Sequence, residues 1–160
     1  MEQRERTEYI FGIRAVIEAL NAGKVFDKIM IRRDAGGELL KELTDMLKGT
    51  DMFVQRVPNE KLNRITLKNH QGVIGLTSEI EYQQIEEVIQ AVYERGEAPF
   101  IVVLDGVTDV RNFGAIVRSA ECAGVHAVVV PIKNSAPANA VAVKTSAGAM
   151  LKMPICRSRD

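Results

Sequence analysis

Phe100–Leu104 (FIVVL) is a continuous apolar run, and a second one occupies His126–Val130. Runs of this kind belong to strands buried on both faces, the signature of a parallel sheet. Between them the spacing predicts a helix from about Asn112 to Ala123, ended by Gly124. Strand, helix and strand in this order make a βαβ unit, whose crossover is right-handed and whose ligands sit beyond the C-terminal ends of the strands. The segment from Asp105 to Asn112 is therefore the first place to look for chemistry.

The rest of the chain alternates in the same way. Ile13, Val16, Ile17 and Leu20 give a helical stripe over Phe11–Leu20. Lys24–Arg33 (KVFDKIMIRR), bounded by Gly23 and Ala35-Gly36-Gly37, reads as a strand. Leu39, Leu40, Leu43, Met46 and Leu47 place a helix over 38–48, with Gly49 as its C-terminal cap. Met52–Val57 is a further strand. Pro58 suits the first turn of a short helix carrying Leu62 and Ile65. Gly72–Leu76 closes the unit as a strand. Ile85, Val88, Ile89 and Val92 mark an amphipathic helix within a linker that Glu97-Ala98-Pro99 ends. The fold class is α/β throughout, divided into residues 1–78, a linker helix at 79–98, and 99–160.

Composition narrows the function classes. Acidic and basic residues balance at 21 each, so any polyanion partner must be met by a local basic face. Aromatics make up 5% and tryptophan is absent, which argues against recognition built mainly on base stacking. Cys122 and Cys156 match no metal spacing and read as free thiols of a reducing compartment. The charged N-terminus has no apolar signal core and no run is long enough to span a bilayer, so the expected location is cytoplasmic. No phosphate-binding G-x-x-x-x-G-K-[ST], no G-x-G-x-x-G and no G-x-S-x-G is present.

Polar residues gather in the loop after the first apolar strand: Asp105, Thr108, Asp109, Arg111 and Asn112, with Arg118 two turns into the helix. Asp105 and Asp109 are either paired carboxylates for a metal or, the favoured reading, a strand end and a turn-former. Gly114 permits close backbone approach, and the small residues around it suit tight helix packing. Arg118 is either a working cation, a solvated helix arginine, or a partner of Glu121 or Asp109. His70 reads as a turn residue before a strand.

The run Asp105–Val125 (DGVTDVRNFGAIVRSAECAGV) resembles the first signature motif of the SpoU-type (TrmH-like) RNA ribose 2'-O-methyltransferases of the SPOUT superfamily. Lys144-Thr145-Ser146-Ala147-Gly148-Ala149 resembles that family's segment entering its next strand. Tyr9–Leu20 and His70-Gln71-Gly72-Val73 resemble its small N-terminal substrate-binding domain. Val110 departs from the pattern, where many relatives carry proline.

The resemblance implies a small N-terminal α/β substrate-binding domain followed by the first part of an α/β-knot domain. It implies S-adenosyl-L-methionine as methyl donor, RNA as substrate (ribosomal more than transfer RNA, with 23S rRNA guanosine methylators the nearest look), and a homodimer. Asn112 and Arg118 take the catalytic positions. Arg111, Arg14, His70, Lys61, Arg64 and Lys68 are the candidate RNA contacts, the three on 61–68 being equally readable as solvated surface. Because a guanidinium stays protonated and accepts no hydrogen bond, Arg118 is read as a phosphate anchor and charge neutraliser, not as a base. The family's two later donor-binding motifs do not occur before Asp160. The expectation is thus a truncated domain with an incomplete knot, no cofactor-binding residues in this chain, no metal, and no activity alone. The competing readings are a non-catalytic RNA-binding or dimerisation module, and an unrelated metal enzyme using Asp105 and Asp109.

Overall fold

The computed structural model describes residues 8–159, which fall into two compact units, 8–77 and 78–159. The first unit runs β1 (Tyr9–Phe11), α1 (Ile13–Asn21), β2 (Phe26–Arg32), α2 (Glu38–Leu47), β3 (Val54–Val57), α3 (Asn59–Ile65) and β4 (Val73–Thr77). Its sheet has the order β1-β4-β2-β3. β4 is antiparallel to β1 and β2, and β3 is parallel to β2. Consequently β1, β2 and β3 point the same way, and the starts of α1, α2 and α3 gather at one edge of the sheet.

Apolar residues on alternate strand positions sort to the two faces. Ile29, Ile31 and Val73 pack with Val16 and Ile17 of α1 and Leu40, Leu43 and Leu47 of α2. Met30, Val57 and Ile74 pack under Leu62 of α3 on the other face. Phe26 joins the α1–α2 side although it lies an odd three positions before Ile29, and the register shift between Phe26 and Lys28 supplies the extra residue this needs. Strand β1 was not expected: three residues carry too little periodicity, and the helical reading began at Phe11, whereas Gly12 at φ 95° turns the chain into α1.

The second unit contains α4 (Ile85–Glu94), β5 (Ile101–Val103), α5 (Val110–Cys122), β6 (Ala127–Pro131), α6 (Ala140–Thr145), a 3-10 turn (Ala149–Leu151) and β7 (Ile155–Ser158). The sheet is wholly parallel, in the order β5-β6-β7. β6 is buried on both faces as its sequence demands. Ala127 and Val129 meet Val88 and Val92 of α4, while Val128 and Val130 join Phe113, Val117 and Ala120 of α5.

Two expectations change here. Residues 79–98, read as a linker, pack into this unit, because the apolar stripe of α4 has an apolar strand face to cover. The run 100–104, read as fully buried, lies at the sheet edge, where Phe100 is half exposed and Val103 is 68% exposed. α6 and β7 were too short to read. Asn139 starts α6 by accepting from Ala142 N. Among the described residues no helix is long and apolar enough to cross a membrane.

Candidate functional site

The loop between β5 and α5 is shaped by one carboxylate. Asp109 Oδ1 accepts from the backbone N–H groups of Arg111 and Asn112, each at 2.9 Å, and so caps α5. A capped helix begins at once, which is why α5 starts at Val110, two residues earlier than periodicity suggested. Asp109 is therefore a cap and turn-former, as favoured above. Among the described residues no group of three or more His, Cys, Asp or Glu is placed to hold a metal. Ala136 N–H donates to Val107 O, tying the loop to the connection after β6.

Beyond the end of β5 these residues enclose a cleft of about 390 Å³ lined by Gly106, Val107, Thr108, Asp109, Asn112, Ala115 and Ile116. Ligands of parallel sheets occupy this position. Asn112 reaches the cleft; Arg118 does not line it. Six residues at 3.6 per turn put the two side chains about 120° apart around α5. Arg118 instead shares an exposed stripe with Arg111, seven residues earlier, and with Ala115 and Cys122. Among the described residues Arg118 forms no salt bridge with Glu121 or Asp109, so the bridging alternative is not what the structure shows.

The far side of α5 is fixed by Gly114. A Cβ there would lie 2.6 Å from Ala142 O and 2.8 Å from Thr145 Cβ, so α5 and α6 cross backbone against backbone. Gly114 serves that crossing, whereas Ala115 and Ser119 of the same helix are exposed.

The first unit carries the remaining candidates. Arg14 lies in the first turn of α1 and Lys61 in the first turn of α3, both exposed at the edge where the helices begin. Lys61 Nζ approaches Gln55 Oε1 at 3.5 Å. Arg64 and Lys68 are exposed as well. His70 is a correction to the candidate RNA contacts. It is buried, its Nδ1 accepts from Gly72 N–H at 3.0 Å, and its Nε2 then donates to Asn63 Oδ1 at 2.9 Å. Both ring nitrogens are spent on folding the loop into β4, as the turn reading supposed, and neither is left for RNA.

The candidate set missed Arg32, Arg33 and Arg56. The first two end β2 at the same edge, and Arg56 Nη1 donates to the carbonyls of Arg32 and Ala35 there. Asp34 answers Arg32 at 2.7 Å, while Arg33 is exposed. Their signal was the Arg-Arg pair closing a strand, visible once that strand's direction in the sheet is known.

Two family profiles match the chain. Residues 9–83 fit "RNA 2'-O ribose methyltransferase substrate binding", and residues 99–160 fit the "SpoU rRNA Methylase family". The chain belongs to the SpoU (TrmH-like) RNA methyltransferase family. It is 28% identical over 153 residues to YacO of Bacillus subtilis, which is assigned to the TrmH family of tRNA/rRNA methyltransferases, covering 96% of this chain and 61% of that one. A Staphylococcus epidermidis protein with the same assignment is 32% identical over 148 residues, covering 92% and 59%. The chain thus spans about three-fifths of the length of these SpoU relatives. An AdoMet-bound rRNA methyltransferase of Sinorhizobium meliloti aligns at 24% identity and a TM-score of 0.42, over 93% of this chain and 53% of that one. The capped loop, Asn112 and Arg118 all fall in the segment matched by the SpoU methylase profile, and the basic edge falls in the substrate-binding one.

Proposed function

We propose that the complete enzyme built on these two units transfers a methyl group from S-adenosylmethionine to a ribose 2'-hydroxyl of RNA, ribosomal RNA in preference to transfer RNA, acting as a homodimer in the cytoplasm. The observation that carries the reading is the cleft at the end of β5. Its wall presents Asn112, and Arg118 stands free of carboxylate partners on the same helix.

In this reading the first unit lays RNA phosphates on its basic edge, with Arg14, Arg33, Lys61, Arg64 and Lys68 as point contacts. Arg111 and Arg118, about 10 Å apart along one helix stripe, track the backbone next to the target nucleotide. Asn112 orients the ribose by hydrogen bonding. Arg118 stays protonated and steadies negative charge as the 2'-oxygen gives up its proton. The domain boundaries follow the same logic: recognition in residues up to about 78, chemistry from the β5 end onward.

The donor supplies an electrophilic methyl group. The described residues do not make a holder for it: the cleft is open, and its one carboxylate, Asp109, is engaged in capping. On this reading the isolated 160-residue chain is expected to transfer no methyl group.

The test is methyl transfer by the full-length enzyme, read as alkali-resistant linkages in RNA, since a 2'-O-methyl ribose cannot cleave its neighbouring phosphodiester. Arg118→Ala is expected to lower kcat by about 10²–10³, with Asn112→Ala less affected. Methylated bases without alkali-resistant linkages, or an Arg118→Ala enzyme of full activity, would overturn the assignment.

A further inference from the structure

Among the described residues, the α3-bearing face of the first sheet is least covered at its β1 edge, where Tyr9 and Phe11 are partly exposed while Leu76 beside them is buried. α3 lies over Met30, Val57 and Ile74. Towards the other end, Tyr9, Leu76 and Lys28 form one cross-strand row, since Leu76 is the register partner of both Tyr9 and Lys28. Tyr9 and Phe11, alternate residues of the edge strand β1, stack with ring centroids 6.3 Å apart and planes 19° from parallel. Both rings remain partly exposed.

Lys28 is the anomaly on this face. It is half-buried in the middle of a sheet, where an ammonium is costly unless it is paired. Among the described residues it forms no hydrogen bond or salt bridge. Its pKa lies below the usual lysine value because burial opposes the charge and because Lys61 repels it, with Asp27 acting weakly in the other direction. Lys61 Nζ in turn approaches the neutral Gln55 amide at 3.5 Å. Gln55 is the register partner of Met30, one same-face position along β2 from Lys28, so the two lysines lie over neighbouring positions of one face, and among the described residues neither forms a salt bridge. Such a pair weakens the fold it sits in, and local costs of this kind are borne where a ligand offsets them.

We infer that this face is a nucleotide-binding site, in which a phosphate of single-stranded RNA lies between Lys28 and Lys61 while an adjoining base stacks on the Tyr9–Phe11 rings. The dimensions suit one nucleotide. Tyr9 and Lys28 sit on strands separated by β4, about 10 Å apart at the 4.7–4.9 Å spacing of neighbouring strands, and both side chains extend from the same face. Stacking on sheet aromatics tolerates any base, so the site adds affinity and fixes the strand's path without choosing sequence. The site lies on a face of the sheet and shares Lys61 with the edge that carries Arg14, Arg33 and Arg56. It rests on the reading of RNA as the substrate.

The experiment measures binding of the 160-residue chain to a single-stranded RNA dodecamer across a salt series, with tyrosine fluorescence as a second signal. The double variant Lys28→Met/Lys61→Met is expected to lose at least tenfold in affinity and to flatten the log–log salt slope by about 0.7, the contribution of one phosphate contact on a single strand. Tyr9→Leu is expected to weaken binding about tenfold at unchanged slope and to remove the quenching that a stacked base causes. Thermal unfolding without RNA separates these effects from misfolding, because Lys28→Met is expected to raise the midpoint, opposite to what a structural lysine would show. If the wild-type chain binds RNA while the lysine variant keeps its affinity and slope, the site is disproved and the RNA reading stands. If the wild-type chain does not bind the RNA, the underlying reading fails and takes this site with it.

Discussion

Among the described residues each unit has one glycine at which a Cβ would come under 3 Å from a neighbour, and the neighbours differ in kind. In the first unit, Gly75 of β4 faces the ring of Phe26, where a Cβ would come within 2.4 Å of Cε1. In the second, Gly114 of α5 faces the carbonyl of Ala142 and the backbone nitrogen of Ser146, at 2.6 and 3.0 Å. A strand that gives up its side chain to a phenylalanine has made a packing choice that another residue could undo. A helix whose backbone touches another helix has fixed the separation of two elements. The first unit is thus held by side-chain fit. The unit with the β5 cleft is held by backbone contact, which allows its loop less freedom.

This difference can be broken experimentally. The largest effect is expected from Gly114→Val, because two of its three nearest neighbours are backbone atoms that cannot be trimmed to admit the new atoms. Overpacking of this kind costs about 1–3 kcal/mol and can exceed it. Thr145→Ala leaves the Cβ and the Ala142 carbonyl in place and is expected to restore nothing. Hydrogen exchange should show the loss confined to amides from Ser78 on, with β1–β4 unchanged. Gly75→Ala is expected to cost about 1–3 kcal/mol by the same principle, read from denaturant unfolding. There the double variant with Phe26→Leu is expected to recover part of the loss, giving a coupling energy above about 0.5 kcal/mol. Equal rescue at both glycines, or at neither, would erase the distinction between the units.

How far the sequence disclosed these features depended on which forces act locally. α1, α2, α4 and α5 were readable because each buries a stripe at helical spacing, and β6 because both its faces are covered. The edge position of β5 was hidden, since an apolar run says what a strand is made of and not where it lies in the sheet. Asp109 was legible as a turn residue, because capping is decided within three residues. The burial of His70 between Asn63 and Gly72 was only half legible: the turn could be read, the sealed ring could not. Asn112 and Arg118 came from one continuous motif, yet the angle between them around α5 is a property of the helix once its first residue is fixed. Arg32, Arg33 and Arg56 were missed because they meet only when β2 and β3 align in parallel, and Lys28 because its neighbour Lys61 lies on another element.

The smallest and sharpest test sets the pH responses of the units against each other. In the first unit, burial and Lys61 hold Lys28 below its ordinary pKa of 10.5. Between the lowered folded value and 10.5 the unfolded chain binds more protons, so this lysine makes the first unit more stable as pH rises. In the second unit, Cys156 is buried and its thiol is pushed from 9.0 up to about 11 by desolvation, with a further push from Glu86. Between 9 and about 11 the folded state holds the proton that the unfolded state has lost. Its contribution is complete below pH 9 and is lost as pH climbs through the folded value. Hydrogen exchange resolved by unit over pH 8–10.5 should show opposite slopes, with Lys28→Met flattening the first and Cys156→Ala the second. In the same range iodoacetamide should modify the exposed Cys122 of the folded chain and reach Cys156 only on unfolding. Parallel slopes would mean that other groups govern both units, and rapid alkylation of Cys156 in the folded chain would show that the contact between α4 and β6–β7 opens more readily than its packing implies.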